Sequence, residues 1–316
     1  MKDKILESIK YVVDNSVHVK INNEKVNYFA DSFQIESTVH WIQHGPFNIF
    51  TLSIEEQVNL ILIMSGISFS YWGLPKWTIE YRGQSFDGAY GMLAALGKAI
   101  ENGYPILNSS YLSQISENDF GEILKGNVEI PLFYERLNII REIGSIIDKN
   151  FDKDFFHVTQ QVNSNANLLN IIIDNFSCFT DKSNYKNREI FFYKKAQLLT
   201  SDILQIIPKS EYGAKLFSSL TACADYKLPQ VLREYELIEY STFLSNTIDK
   251  KVEIKKGSEE EIEIRANTIW VIELIKEKMK QRVKNIDSMT INDQIWLLSQ
   301  NNGSMRPYHL TRTTAY

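Results

Sequence analysis

Thr221-Ala222-Cys223-Ala224-Asp225-Tyr226-Lys227-Leu228-Pro229-Gln230 gathers a carboxylate, a phenol and an ammonium immediately ahead of a helix that proline opens. Proline at the first helical position has its φ already set and lacks an N–H that would have found no partner there, so the spacing predicts a helix over 229–238. Asp225 then sits at the positive end of that helix. On pattern alone two roles are open to it: accepting the amides of the helix start, as Asp before a helix commonly does, or presenting a carboxylate to chemistry.

Helical patterns dominate on both sides of this stretch. Ser53-Ile54-Glu55-Glu56 is a capping box ahead of Val58, Leu60, Ile61 and Leu62, which predicts a buried helix. Residues 91–100 are rich in Ala, Leu and Gly, as suits a helix packed closely on its neighbours. Residues 131–147 carry Leu132, Leu137, Ile140, Ile143 and Ile147 as a helical stripe. Further helices are predicted over 165–174, 190–207, 265–283 and 291–299. One piece alternates instead: Trp77-Thr78-Ile79-Glu80-Tyr81, then Arg82-Gly83, then Gln84-Ser85-Phe86 reads as a small β-hairpin about a turn glycine. Residues 180–188 form a polar connector and 250–258 a charged hairpin or loop. The expectation is a mainly α fold with a minor β element. With no Gly/Ser-rich or Pro-rich linker and no repeat, residues 1–316 are expected to form one domain.

Composition narrows the function classes. A chain of 316 residues with 44% apolar and 12% aromatic content can bury a large core. Its net charge of −5 argues against a nucleic-acid partner, since wrapping a polyanion calls for a positive field, and favours a small-molecule ligand. Cys178 and Cys223 are the two cysteines, without CxxC spacing, so free thiols are expected and neither a disulfide framework nor a metal site is signalled. The N-terminal residues lack a signal-peptide core, and the most apolar window, Leu60-Ile61-Leu62-Ile63-Met64, is too short to span a bilayer. A cytoplasmic protein without membrane or cofactor is expected; oligomeric state is left open.

The stretch around Asp225 resembles the ADYR-[LV]-PQ signature of the queuosine-salvage family, the queuosine 5′-phosphate N-glycosylases. Other stretches match that family in the same order. They are Ser68-Phe69-Ser70-Tyr71-Trp72, Tyr81-Arg82-Gly83 with Gly88-Ala89-Tyr90, and Phe192-Tyr193-Lys194-Lys195-Ala196-Gln197-Leu198-Leu199 followed by Asp202. Glu261-Ile262-Glu263-Ile264-Arg265 and the run from Pro307 to Tyr316 complete the set, so the resemblance covers almost the whole chain. It implies a helical fold related to the helix-hairpin-helix DNA glycosylases. It also implies hydrolysis of queuosine 5′-phosphate to queuine and ribose 5-phosphate, without metal or cofactor.

Such a reaction passes through a ribosyl oxocarbenium-like transition state, which needs an anion near the anomeric carbon. Asp225 is the candidate catalytic group, as electrostatic stabiliser, nucleophile or base. Phe69 and Trp72 are candidate walls for a 7-deazaguanine ring, with His44 as a polar and Asp293 as an anionic contact, and Cys223, Tyr226 and Asn292 are further candidate substrate-binding residues; His44 looks like the family's base-binding His. Lys194, Arg265 and His309, or Arg312, are candidates for the 5′-phosphate. Lys195, adjacent on the helix, is expected to point elsewhere. The chain departs from the family pattern at Ser68, Cys223, Asn292 and Leu297, which implies a change in how the base is held. Three other readings compete: a glycosylase for a different 7-deazaguanine, a DNA or RNA repair glycosylase, and a nucleotide-binding protein without turnover.

Overall fold

Side-chain caps set many of the helix starts. In the computed structural model, which describes residues 1–35, 40–161, 167–301 and 305–316, Ser53 Oγ accepts the Glu56 amide at 3.2 Å while Glu56 Oε2 accepts the Ser53 amide at 2.8 Å. This is the expected capping box, and the helix Ile54–Gly66 follows it. Asn22, Asn108, Ser116, Ser210, Ser241 and Ser258 cap other helices without the return bond, each side chain accepting one helix-start amide. Among the described residues there are 15 α-helices and three two-stranded antiparallel sheets, so the chain is mainly α with small hairpins.

The helix Glu259–Met279 is the axis of the fold. It is buried on nearly every side because Lys2–Asn15, Asn23–Ser32, Lys227–Glu234 and Ser288–Asn301 all pack on it. A second group forms where Ile54–Gly66 lies against Lys194–Ile206 and Phe133–Asn150. One contiguous hydrophobic cluster, from Ile5 to Ile295, joins the two groups.

The hairpin expected near residue 80 is present, with Thr78 opposite Asp87 and Tyr81 opposite Gln84 across an Arg82-Gly83 turn in which both φ angles are positive. Elsewhere the structure corrects the sequence reading. The helix expected over 190–207 is divided: Arg188–Phe191 pairs with Lys182–Tyr185 as a second hairpin, and the helix proper is Lys194–Ile206. Lys186 and Asn187 take φ of 46° and 65° at its turn, and Tyr193, at 49°, breaks the chain before the helix. The helix expected to open at Pro229 starts two residues earlier, at Lys227, because Asp225 already caps it; it ends at Glu234, and Ile238–Tyr240 forms a strand against Val19–Ile21. Residues 250–258 are a loop whose Glu253 pairs in parallel with Leu310. The helix expected over 165–174 is Leu168–Asn175, residues 165 and 166 lying outside the described ones.

Candidate active site

The helix Lys194–Ile206 forms the floor of a cavity with about 1110 Å³ of empty space, mouth included. Lys194, Leu198 and Asp202 recur every four residues, so they lie along one face of this helix, and all three line the cavity. Eight residues of helix separate the cationic end from the anionic end by about 12 Å. The walls come from the Ser68-Phe69 turn, from the start of Lys227–Glu234 and from Ser288–Asn301.

Asp225 is 8% exposed and lines this cavity. Its Oδ1 accepts the Lys227 amide at 2.8 Å and the Leu228 amide at 3.0 Å, so the capping role is real. Among the described residues no protein donor reaches Oδ2, so the carboxylate is fixed by one oxygen and unpaired at the other. Arg265 holds the preceding residue, its Nε donating to the Ala224 carbonyl at 3.3 Å. The same guanidinium makes a two-pronged ion pair with Asp181, whose Oδ2 also accepts the Lys194 amide at 3.2 Å. One buried ion pair thus ties together the backbone on both sides of the cavity. Burial opposes the Arg265 charge, but Asp181 and Glu261 outweigh it and hold the guanidinium firmly protonated.

Of the cations expected to meet a phosphate, the structure brings one to the cavity. Lys194 is buried there, and among the described residues nothing hydrogen-bonds its ammonium. Arg265 does not line the cavity, and its donors are spent on Asp181 and Ala224. His309 is also outside, 3.3 Å from the Tyr316 hydroxyl; burial, aided by the Arg265 charge, pulls it down to about 3, so the ring is neutral at physiological pH. Arg312 is exposed, stacked 4.7 Å from the Trp72 ring centre. Lys195 does line the cavity, contrary to expectation, but its ammonium donates to the Gly66 carbonyl at 2.8 Å and lies near the rings of Phe69 and Phe179. Burial brings it down to about 8.

The anionic end is built around Asp202, which sequence motif alone left without a role. Its Oδ1 accepts from His40 Nε2 and Trp41 Nε1, both at 3.0 Å. Asp293, also in the cavity, is pushed up to about 6 by burial and then by the Asp202 charge. Asn292 links the walls: its Oδ1 accepts the Cys223 amide at 2.9 Å and its Nδ2 donates to Asp293 at 3.0 Å. Cys223 is a buried free thiol, raised well above its usual range by burial. Trp41 and Trp296 line this end with ring centres 5.5 Å apart, edge to face.

Phe69 and Tyr226 also line the cavity, Tyr226 with its ring 4.7 Å from that of Tyr308. Trp72 does not: it is buried with Nε1 donating to the Thr311 carbonyl. His44 is exposed at the end of the turn Trp41–His44, and the buried histidine near the site is His40. His40, Trp41, Asp181, Trp296 and Tyr308 are site residues that the sequence reading passed over, and Lys227, noted there for its ammonium, was given no contact with the substrate. A spacing signal existed for Asp202 alone, eight residues from Lys194.

The family model described as queuosine salvage protein matches residues 49–316. A queuosine 5′-phosphate N-glycosylase/hydrolase of Sphaerobacter thermophilus is 33% identical, over 99% of this chain and 97% of that protein. Proteins of the same name from Nematostella vectensis, at 32% over 82% of each chain, and Mus musculus, at 27% over 98% of each, are also similar. Every cavity wall except Trp41 and Ile42 falls within the matched residues, and the chain belongs to the queuosine salvage protein family.

Proposed function

We propose that this protein hydrolyses the N-glycosidic bond of queuosine 5′-phosphate, releasing queuine and ribose 5-phosphate. The observation that carries this reading is the Asp225 carboxylate, fixed by two helix-start amides inside a cavity that is cationic at one end and anionic and aromatic at the other. The names of the similar proteins supply the substrate.

As the bond between the anomeric carbon and the base breaks, its electron pair leaves with the base and positive charge builds on the ribose. Asp225 Oδ2 stabilises that charge. The oxygen of water then bonds to the anomeric carbon, one of its protons passing to solvent through Asp225 and the base regaining a proton on its ring nitrogen. Queuine carries an ammonium on its side arm, and Asp202 and Asp293 supply negative charge for it while Trp41 and Trp296 offer aromatic surface to the ring. The ammonium of Lys194 serves the phosphate.

A free nucleotide in the cytoplasm is the proposed substrate, rather than a base in a nucleic acid. The net charge of −5 supports this, and among the described residues no helix is long and apolar enough to cross a membrane. The test is incubation of the purified protein with queuosine 5′-phosphate, queuosine and guanosine 5′-phosphate, with free base followed by mass spectrometry. Queuine from queuosine 5′-phosphate is expected. Tight binding without any base release would make the protein a nucleotide-binding protein instead.

A further inference from the structure

A phosphate monoester carries close to two negative charges at neutral pH, and Lys194 supplies one positive charge. Among the described residues, four cationic side chains line the cavity: Lys76, Lys194, Lys195 and Lys227. Lys76 is 2.6 Å from Asp87 and Lys195 is bound to the Gly66 carbonyl. Among the described residues, Lys227 resembles Lys194 in having no hydrogen bond or ion pair at its ammonium, which rests 5.2 Å from the Tyr308 ring centre. Its place is fixed by the candidate catalytic group, because the Lys227 amide is one of the two that Asp225 Oδ1 accepts. A flexible four-carbon stem therefore swings an unpaired charge from a point anchored to the reaction centre. The Tyr308 ring beside it, tilted against that of Tyr226, and the partial burial of Lys227 lower the local dielectric and strengthen the field of that charge.

We infer that Lys227 is a second phosphate-binding residue and selects the 5′-phosphate over the nucleoside. This inference rests on the glycosylase reading for its substrate, but not for its binding test. Lys227→Met keeps most of the stem and removes the charge, and Lys227→Arg keeps the charge. Release of queuine from queuosine 5′-phosphate and from queuosine gives a preference ratio for each protein. The ratio is expected to fall about 10- to 100-fold in Lys227→Met and to be largely kept in Lys227→Arg, as loss of one hydrogen bond to a charged group implies.

Equal losses on both substrates would overturn the inference, since Lys227 would then act only by positioning Asp225. A wild type with no preference for the phosphate would overturn it as well. Titration calorimetry with ribose 5-phosphate reads the same contact without turnover. Weaker binding by Lys227→Met than by wild type is expected, and unchanged affinity would reject the role. Should wild type release no base from any substrate, the glycosylase reading fails while this binding comparison still decides the phosphate site.

Discussion

Oδ1 of Asp225 is committed to the amides of Lys227 and Leu228, so the proposed division gives one carboxylate oxygen the structural task and Oδ2 the chemical one. Asparagine caps helices about as well as aspartate, whereas alanine leaves the amides unpaired. Asp225→Asn is therefore expected to melt close to wild type, and Asp225→Ala to lose about 1 kcal/mol, as thermal denaturation of both variants checks. Asp293 gives a pH-dependent counterpart. Burial and the Asp202 charge hold it at about 6, so the folded protein binds its proton more tightly than the unfolded chain does. The resulting penalty is absent below the ordinary value of 3.8, grows as pH rises, and is complete above about 6. Burial pulls His40 down, but its bond to Asp202 outweighs that and leaves it raised; its contribution is present at acid pH and fades as pH rises, in the same sense. Asp293→Asn is expected to raise Tm by about 2–4 °C at pH 8 and to leave it nearly unchanged at pH 4. Equal shifts at both values would refute the assignment.

Among the elements, the Arg265–Asp181 pair joins the helix Glu259–Met279 to the start of Lys194–Ile206 and to the Ala224 carbonyl. Removing one partner of a buried pair leaves the other charge stranded, at a cost of about 3–5 kcal/mol. Arg265→Met and Asp181→Leu are each expected to destabilise by that order, and the double variant by clearly less than the sum. Denaturant melts measure this, and additivity would mean the pair is not coupled. Elements with local signatures were legible in the sequence: the Ser53 capping box, the stripe through Ile140 and Ile143, and the hairpin about Gly83. The hairpin through Lys186 and Asn187 was not, because its two positive φ values fall on residues other than the Asn-Gly pair that usually marks such a turn. Nor was the strand Ile238–Tyr240, whose partner Val19–Ile21 lies more than 200 residues away. The site follows the same division. Asp225 and Lys194 could be read from local motifs, but that Arg265 is consumed by Asp181, 84 residues distant, depends on tertiary packing. His40 and His44 lie in an irregular segment with no periodicity to say which one faces inward.

Taken whole, the molecule sets a cavity between its two helical groups, lined by Lys194 and Lys227, whose ammonium groups are unpaired among the described residues, and by Asp202 and Asp293, which concentrate negative charge. Anything that binds this folded cavity stabilises it by mass action, by about 2.7 kcal/mol at a hundredfold excess over Kd. Ribose 5-phosphate is expected to raise Tm in wild type and to do so less in Lys194→Met, while ribose leaves both unchanged; equal rises in the two proteins would remove Lys194 from the phosphate site. Asp225 Oδ2 is the charge proposed to drive glycosidic cleavage, and single-turnover release of queuine from queuosine 5′-phosphate by wild type and Asp225→Asn is the direct test. Queuine and ribose 5-phosphate in equal amounts are expected from wild type, with release about 10²- to 10³-fold slower from an Asp225→Asn protein that still folds and binds the nucleotide. Release at the wild-type rate by Asp225→Asn would contradict that role.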